Sequence, residues 1–221
     1  MITVPNSSRR SSGRKALTLA LTMIVVAGTS VSAHRLDEYL QAARIDLQTD
    51  TVLIDLDLTP GVAIAESIIS MIDRDRDGSM SIEEQNHYAR QVVSAVQIQV
   101  DEEPVPLHLS SLTFPEPSSF RRGEGMIRLR AIAPHRSLSA GAHRLFFRNA
   151  HLNQQSVYLA NALLPESARV AVTGQRRDGD QSELTIDYSI RPAWNYSTGM
   201  LVFVAAAVLM IRFRQFAGRR P

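Results

Sequence analysis

The chain has no cysteine among its 221 residues. That absence excludes disulfides, thiolate zinc sites and cysteine nucleophiles together. It sets no compartment, because a domain of about 150 residues buries enough core to stand without covalent staples. Acidic residues are missing from both ends. Residues 1–33 carry Arg9, Arg10, Arg14 and Lys15, and residues 192–221 carry Arg212, Arg214, Arg219 and Arg220, with no acid in either segment. The whole chain has 24 Lys and Arg against 22 Asp and Glu, and a pI near 9.3. Setting those eight cations aside leaves 16 basic against all 22 acidic residues in 34–191, a net of −6. The basic pI belongs to the ends, and the middle is acidic. A nucleic-acid surface is therefore not expected, whereas divalent cations suit the middle. Catalytic signatures are lacking too. There is no G-x-S-x-G, no H-E-x-x-H, no glycine loop that cradles phosphate and no paired His–carboxylate spacing. Asp178 and Asp180, in "RRDGDQ", read as a turn between strands. No enzyme is expected.

The first end has the features of a signal peptide over 1–33. A basic region closes at Lys15, the apolar run "ALTLALTMIVVAG" follows, and Val31 and Ala33 stand where a signal peptidase needs small or modest residues. Cleavage after Ala33 is expected, leaving His34 as the mature N-terminus. The pair Arg9-Arg10 lacks the apolar residues that twin-arginine export needs directly after it, so general secretion is expected. At the other end, 20 uncharged residues separate Arg191 from Arg212. At about 1.5 Å per residue they span roughly the 30 Å of a hydrocarbon core. A transmembrane helix is expected over 191–212, with Trp194 and Tyr196 at the interface and a basic cytoplasmic tail over 213–221. The implied place is a bacterial cell membrane crossed once, with 34–190 outside.

Between the ends, apolar residues recur with period two. Ala43, Ile45 and Leu47 share one face against Arg44, Asp46 and Gln48. After "QTDT", Val52, Ile54, Leu56 and Leu58 repeat the pattern against Asp55 and Asp57. This predicts a hairpin. "VQIQV" and "VPLHL" around "DEEP" predict a second hairpin, and further strands are expected at "GMIRLRAIA", "HRLFFRN", "SVYLA", "ARVAVT" and "ELTIDYSI". "TFPEPSSFRRGEG" reads as a loop. Such a series of short strands suits a β-sandwich or small barrel.

One region breaks the pattern. "GVAIAESIISMI" places Ile64, Ile68, Met71 and Ile72 on one helical face, and "EEQNHYARQVVSAV" does the same with Tyr88, Val92 and Ala95. Between them, "DRDRDGSMSIEE" fits D-x-D-x-D-G-x5-E, the EF-hand calcium pattern. Asp73, Asp75 and Asp77 alternate so that their carboxylates converge while Arg74 and Arg76 face away. Gly78 supplies a sharp turn. Ser79 would ligate through its backbone carbonyl, Ser81 directly or through water, and Glu84 with both oxygens. Ser81 and Glu84 also form a capping box at the start of the second helix. Four carboxylates so close together repel one another without a cation, and this number of hard oxygens suits Ca²⁺ better than Mg²⁺. "RDGDQSE" at 177–183 lacks the glycine position and the closing glutamate, so a single, structural site is expected.

The expected fold class is α+β: an antiparallel β-sandwich-like domain over 34–190, an EF-hand helix–loop–helix inserted over 60–96, and one C-terminal transmembrane helix. The expected function is a calcium-binding, membrane-anchored extracytoplasmic interaction module. The alternative is a Cu²⁺ or Ni²⁺ binding or delivery protein that chelates through the free amine and imidazole of His34, with His143 and His151 as candidate helpers. His87, His108 and His135 are less suggestive. The stretches "AHRLDEYLQ", "LDLTPGVA", "DRDRDGSMSIEE" and "HYAR" resemble a bacterial exported domain found ahead of HupE/UreJ-type nickel/cobalt permease helices. The resemblance implies a membrane-protein partner of permease type. It carries over no functional residues beyond the calcium ligands.

Overall fold

Alternation of apolar and polar side chains dictates most of the backbone between residues 39 and 190. The computed structural model describes residues 37–193. The expected signal peptide, His34 and all but the first residues of the expected membrane segment lie outside the described residues. Strand β1 (Tyr39–Leu47) buries every second residue, and β2 (Thr51–Pro60) does the same in antiparallel register, with Ile45 opposite Ile54. After a helical crossing come β3 (Val96–Val100), the two-residue β4 (Glu103–Pro104), β5 (His108–Thr113), β6 (Ile127–Pro134), β7 (Gly141–Asn149), β8 (Ser156–Ala162), β9 (Val170–Arg177) and β10 (Glu183–Ile190).

These strands make two five-stranded sheets, in the orders β5-β6-β2-β1-β8 and β4-β3-β7-β10-β9. Their inner faces share one apolar core that includes Ile54, Leu56, Phe147 and Ile186. Facing sheets joined this way form a sandwich. On the outer face of the first sheet, Asp57 pairs with Arg44 and Asp55 with Arg130. Such exposed pairs favour the register and contribute little to stability.

The crossing from the first sheet to the second is helical. It comprises a single 3-10 turn (Val62–Ile64), helix α1 (Ala65–Ile72) and helix α2 (Ile82–Ser94). Helix α3 (Pro117–Arg121) is one turn that drops Phe120 into the core. It falls within the segment expected to be a plain loop.

The α+β class is corrected: the described chain is mostly β, with few and short helices. An EF-hand helix pair inserted as its own unit is not evident. Gly61 is extended, so the first turn of the expected helix does not form and α1 runs for only eight residues. Ile68, Ile69 and Ile72 of α1 and Tyr88, Ala89 and Val92 of α2 then sink into the sandwich core instead of making a core of their own. Met71, expected on the buried face, is exposed, and Ile69 takes its place. The sheets are not wholly antiparallel either, because β1 and β8 pair in parallel. The second expected hairpin is cut short: β3 meets only Glu103 and Pro104 before the chain leaves for the other sheet. Among the described residues no helix is long and apolar enough to cross a membrane, and the segment expected to do so lies almost wholly outside them.

Candidate metal centre

Helix α1 ends because Asp73 leaves helical geometry, with ψ at 86°. Helix α2 begins because Ser81 caps it: the Ser81 hydroxyl accepts from the Glu84 N–H while Glu84 reaches back to the Ser81 N–H at 3.0 Å. The loop between is therefore fixed at both ends by residues that carry its candidate ligands. Within it the chain turns through two left-handed positions, Arg76 (φ 61°) and Gly78 (φ 87°). A Cβ at Gly78 would meet nothing within 4 Å, so the glycine serves conformation rather than space. Replacing it by Ala is expected to cost about 1–2 kcal/mol, and Asn, which tolerates this region, should cost less. Urea unfolding of the two variants measures the difference.

Asp73, Asp75 and Glu84 each place a carboxylate oxygen within 4.8 Å of the others. Ligands sharing one Ca²⁺ at about 2.3–2.6 Å can stand at most about 4.6–5.2 Å apart, so the trio fits that ion. Loop amides turn inward onto the same groups. The Gly78 N–H donates to Asp73 Oδ2 at 3.0 Å, and the Asp77 N–H to Asp73 Oδ1 at 3.2 Å. Those bonds aim Asp73, which is itself buried, and leave each of its oxygens a second lone pair for a ligand.

Glu84 is more heavily engaged. Its Oε1 accepts from the N–H groups of Arg74 (2.6 Å) and Asp75 (3.3 Å), and its Oε2 from the N–H and hydroxyl of Ser81 (3.0 and 2.8 Å). The Ser81 hydroxyl first, then the Arg74 N–H, hold its carboxyl below the usual carboxylate range. Glu84 is thus charged, as a ligand must be. Closing on a cation would cost it some of these bonds, which favours the weak end of the Ca²⁺ affinity range.

Of the remaining expected ligands, Asp77 falls outside the trio, whereas the Ser81 hydroxyl lies against Glu84 Oε2 at 2.8 Å. Asp77 turns its Oδ1 onto the Ser79 N–H (2.8 Å) and hydroxyl (2.7 Å). Ser79 is exposed beside it, and the Ser81 hydroxyl is committed to the cap. Two of the expected aspartates and the closing glutamate converge; Asp77 does not join them.

No protein-family model matches the chain, and no curated protein matches it.

The histidines do not assemble among the described residues. His143 and His151 stand eight residues apart along β7 and its exit, roughly 25 Å at strand spacing. His143 is held by the Asp101 carboxylate at 2.7 Å and the Ser139 carbonyl at 2.9 Å. Burial alone would lower its pKa, but these partners raise it, so the proton competes more strongly with any metal for the ring.

His151 belongs to a buried network that the sequence reading missed. Its Nε2 meets the Tyr88 hydroxyl at 3.2 Å, and Tyr88 meets Tyr39 at 2.9 Å. Gln41 donates to the His151 carbonyl (2.8 Å) and to Ser156 Oγ (2.6 Å), and accepts from Asn149 Nδ2 (2.9 Å). Tyr88 lies one turn beyond Glu84 on α2, so this network anchors the helix whose first turn closes the acidic loop. Burial raises the Tyr88 phenol to about 12. Burial also lowers His151 to about 4 from an ordinary 6.5.

The sign for His151 is that of a depressed base. Its contribution is fully present above pH 6.5 and is lost as the pH falls towards 4, where the unfolded chain binds the proton and the folded chain does not. At about 1.4 kcal/mol per unit, the loss is on the order of 3 kcal/mol. Folding stability followed from pH 7 to pH 4 should fall by this amount, and His151→Gln should flatten the decline.

Proposed function

We propose that the chain is a calcium-stabilised binding module in which one Ca²⁺, held chiefly by Asp73, Asp75 and Glu84, clasps the helical crossing between two sheets. The observation that supports this reading most is the convergence of those carboxylates at the point where α1 ends and α2 begins. A cation there would neutralise the acidic loop and tie Asp73, at the last turn of one helix, to Glu84, in the first turn of the next. Asp77 would join the oxygen shell by turning from Ser79, with the Ser79 carbonyl and the Ser81 hydroxyl completing it. That exchange argues for a structural ion of modest affinity, with Kd about 10⁻⁴–10⁻³ M, as in extracellular modules. Export by the leader expected over 1–33 would put the domain where calcium is plentiful.

Arg74 and Arg76 are exposed within the loop, and trypsin cleaves after arginine. Millimolar Ca²⁺ should slow cleavage at these two positions by tenfold or more relative to EGTA, with Mg²⁺ much less effective. Equal cleavage in all three conditions would sink the proposal.

A further inference from the structure

A groove of about 920 Å³ opens between α2, β3 and the segment 104–109, away from the acidic loop. Its origin lies in the short pairing of β3. Because β4 covers only Gln99 and Val100, the chain swings across to the other sheet and leaves a trough beside Val96 and Ile98. Asn86, Ser94, Gln97 and Gln99 give it polar lining, and its apolar lining comes from Val93 of α2 and Val96 and Ile98 of β3, all three buried, and from Val105, Leu107 and Leu109 of the crossing segment. The last three are only partly buried against the core.

The charge of the groove is opposite to that of the domain. The 34–191 segment is net acidic, yet no Asp or Glu lines this groove. Its one formally charged lining residue is Arg90, on the exposed face of α2, with the His108 imidazole across from the helix. Arg90 makes no ion pair among the described residues, a state it shares with Arg128 and Arg136, whereas Arg44, Arg121, Arg130, Arg144 and Arg176 each have a carboxylate partner. A concave site of about 300–1,000 Å³, mostly apolar with a few placed polar groups, is the usual form of a small-molecule pocket.

We propose that this groove binds an amphiphilic anion, an aliphatic chain lying along Val105, Leu107 and Leu109 with its carboxylate at Arg90. The site does not depend on the cation loop, although α2 carries both. The chain supplies apolar area and the carboxylate supplies direction. An uncharged amphiphile of equal length therefore binds more weakly, and a shorter acid loses affinity with each methylene.

The test is fluorescence titration of the full chain with dansyl-undecanoate, followed by competition with decanoate, dodecanoate and dodecanol. Saturable binding is expected, with dodecanoate displacing the probe and each methylene removed weakening the competitor about fourfold. Arg90→Gln, on an exposed helix face, should weaken dodecanoate about tenfold and leave dodecanol unchanged. Leu107→Asp, which places a carboxylate in the trough, should abolish competition by the acid. Arg90→Gln tracking wild type for dodecanoate would overturn the assignment. So would dodecanol competing as well as dodecanoate, or displacement by an acidic peptide but not by dodecanoate.

Discussion

Gln41→Ala should lower folding stability by about 4 kcal/mol, combining a core cavity with hydrogen-bonding groups left unpaired. Gln41 is 1% exposed and faces the core in phase with Tyr39, Ala43 and Ile45. Its side chain accepts from Asn149 and donates to both Ser156 Oγ and the His151 carbonyl. Truncation leaves the buried Asn149 amide without its acceptor. At 2–4 °C per kcal/mol for a chain of this size, the melting temperature should drop by roughly 10 °C. Gln41→Met fills most of the volume but cannot accept from Asn149, so it should recover part of the loss and no more. Thermal unfolding of both variants checks this. Equal stability of Gln41→Met and wild type would show that the bonds contribute nothing beyond packing.

The second large effect is that of calcium on the same melting curve. For a ligand that binds only the folded chain, stabilisation at 100 times Kd is about 2.7 kcal/mol. With Kd near 10⁻⁴ M, about 10 mM Ca²⁺ should therefore raise the melting temperature of the full chain by roughly 5–10 °C. Glu84→Gln keeps much of the shape of the side chain but removes its charge and one acceptor, and should lose most of this shift. Gln41→Ala should keep it, because the network holds α2 at Tyr88, one turn beyond Glu84, and touches none of the ligands. A calcium shift that survives in Glu84→Gln would place the ion elsewhere.

How much of this was legible depends on how local each feature is. The first hairpin follows from the alternation of Ala43, Ile45 and Leu47 with Arg44, Asp46 and Gln48, and it forms in that register. The later strands follow from the same period, within a few residues of the runs that suggested them. What pairs with what was not legible. The parallel pairing of β1 with β8 joins residues more than a hundred positions apart, and nothing in either run announces it. The short β4 was missed because Pro104 and Pro106 interrupt a segment whose alternation otherwise looks strand-like.

The helix pattern was read correctly as to place and wrongly as to independence. Periodicity reports which residues face inward, not whether the core they face is their own. Gln41 and Asn149 were passed over, and His151 was considered only as a metal ligand, for a related reason. Polar residues at inward positions look like noise until their partners are known, although the phase of Gln41 with Tyr39 and Ala43 was a usable signal. The acidic loop was visible because its spacing is strictly local. The hydrogen bonds that occupy Glu84 and Asp77 were not.

The central claim is that Asp73, Asp75 and Glu84 hold one calcium ion. Equilibrium dialysis of the full chain against Ca²⁺ in excess Mg²⁺ tests it most directly, with Asp73→Asn and Glu84→Gln alongside. The account predicts one ion per chain with half-saturation near 10⁻⁴–10⁻³ M, and none in either variant over the same range. No saturable calcium in the wild type, or the same stoichiometry in all three proteins, would contradict it.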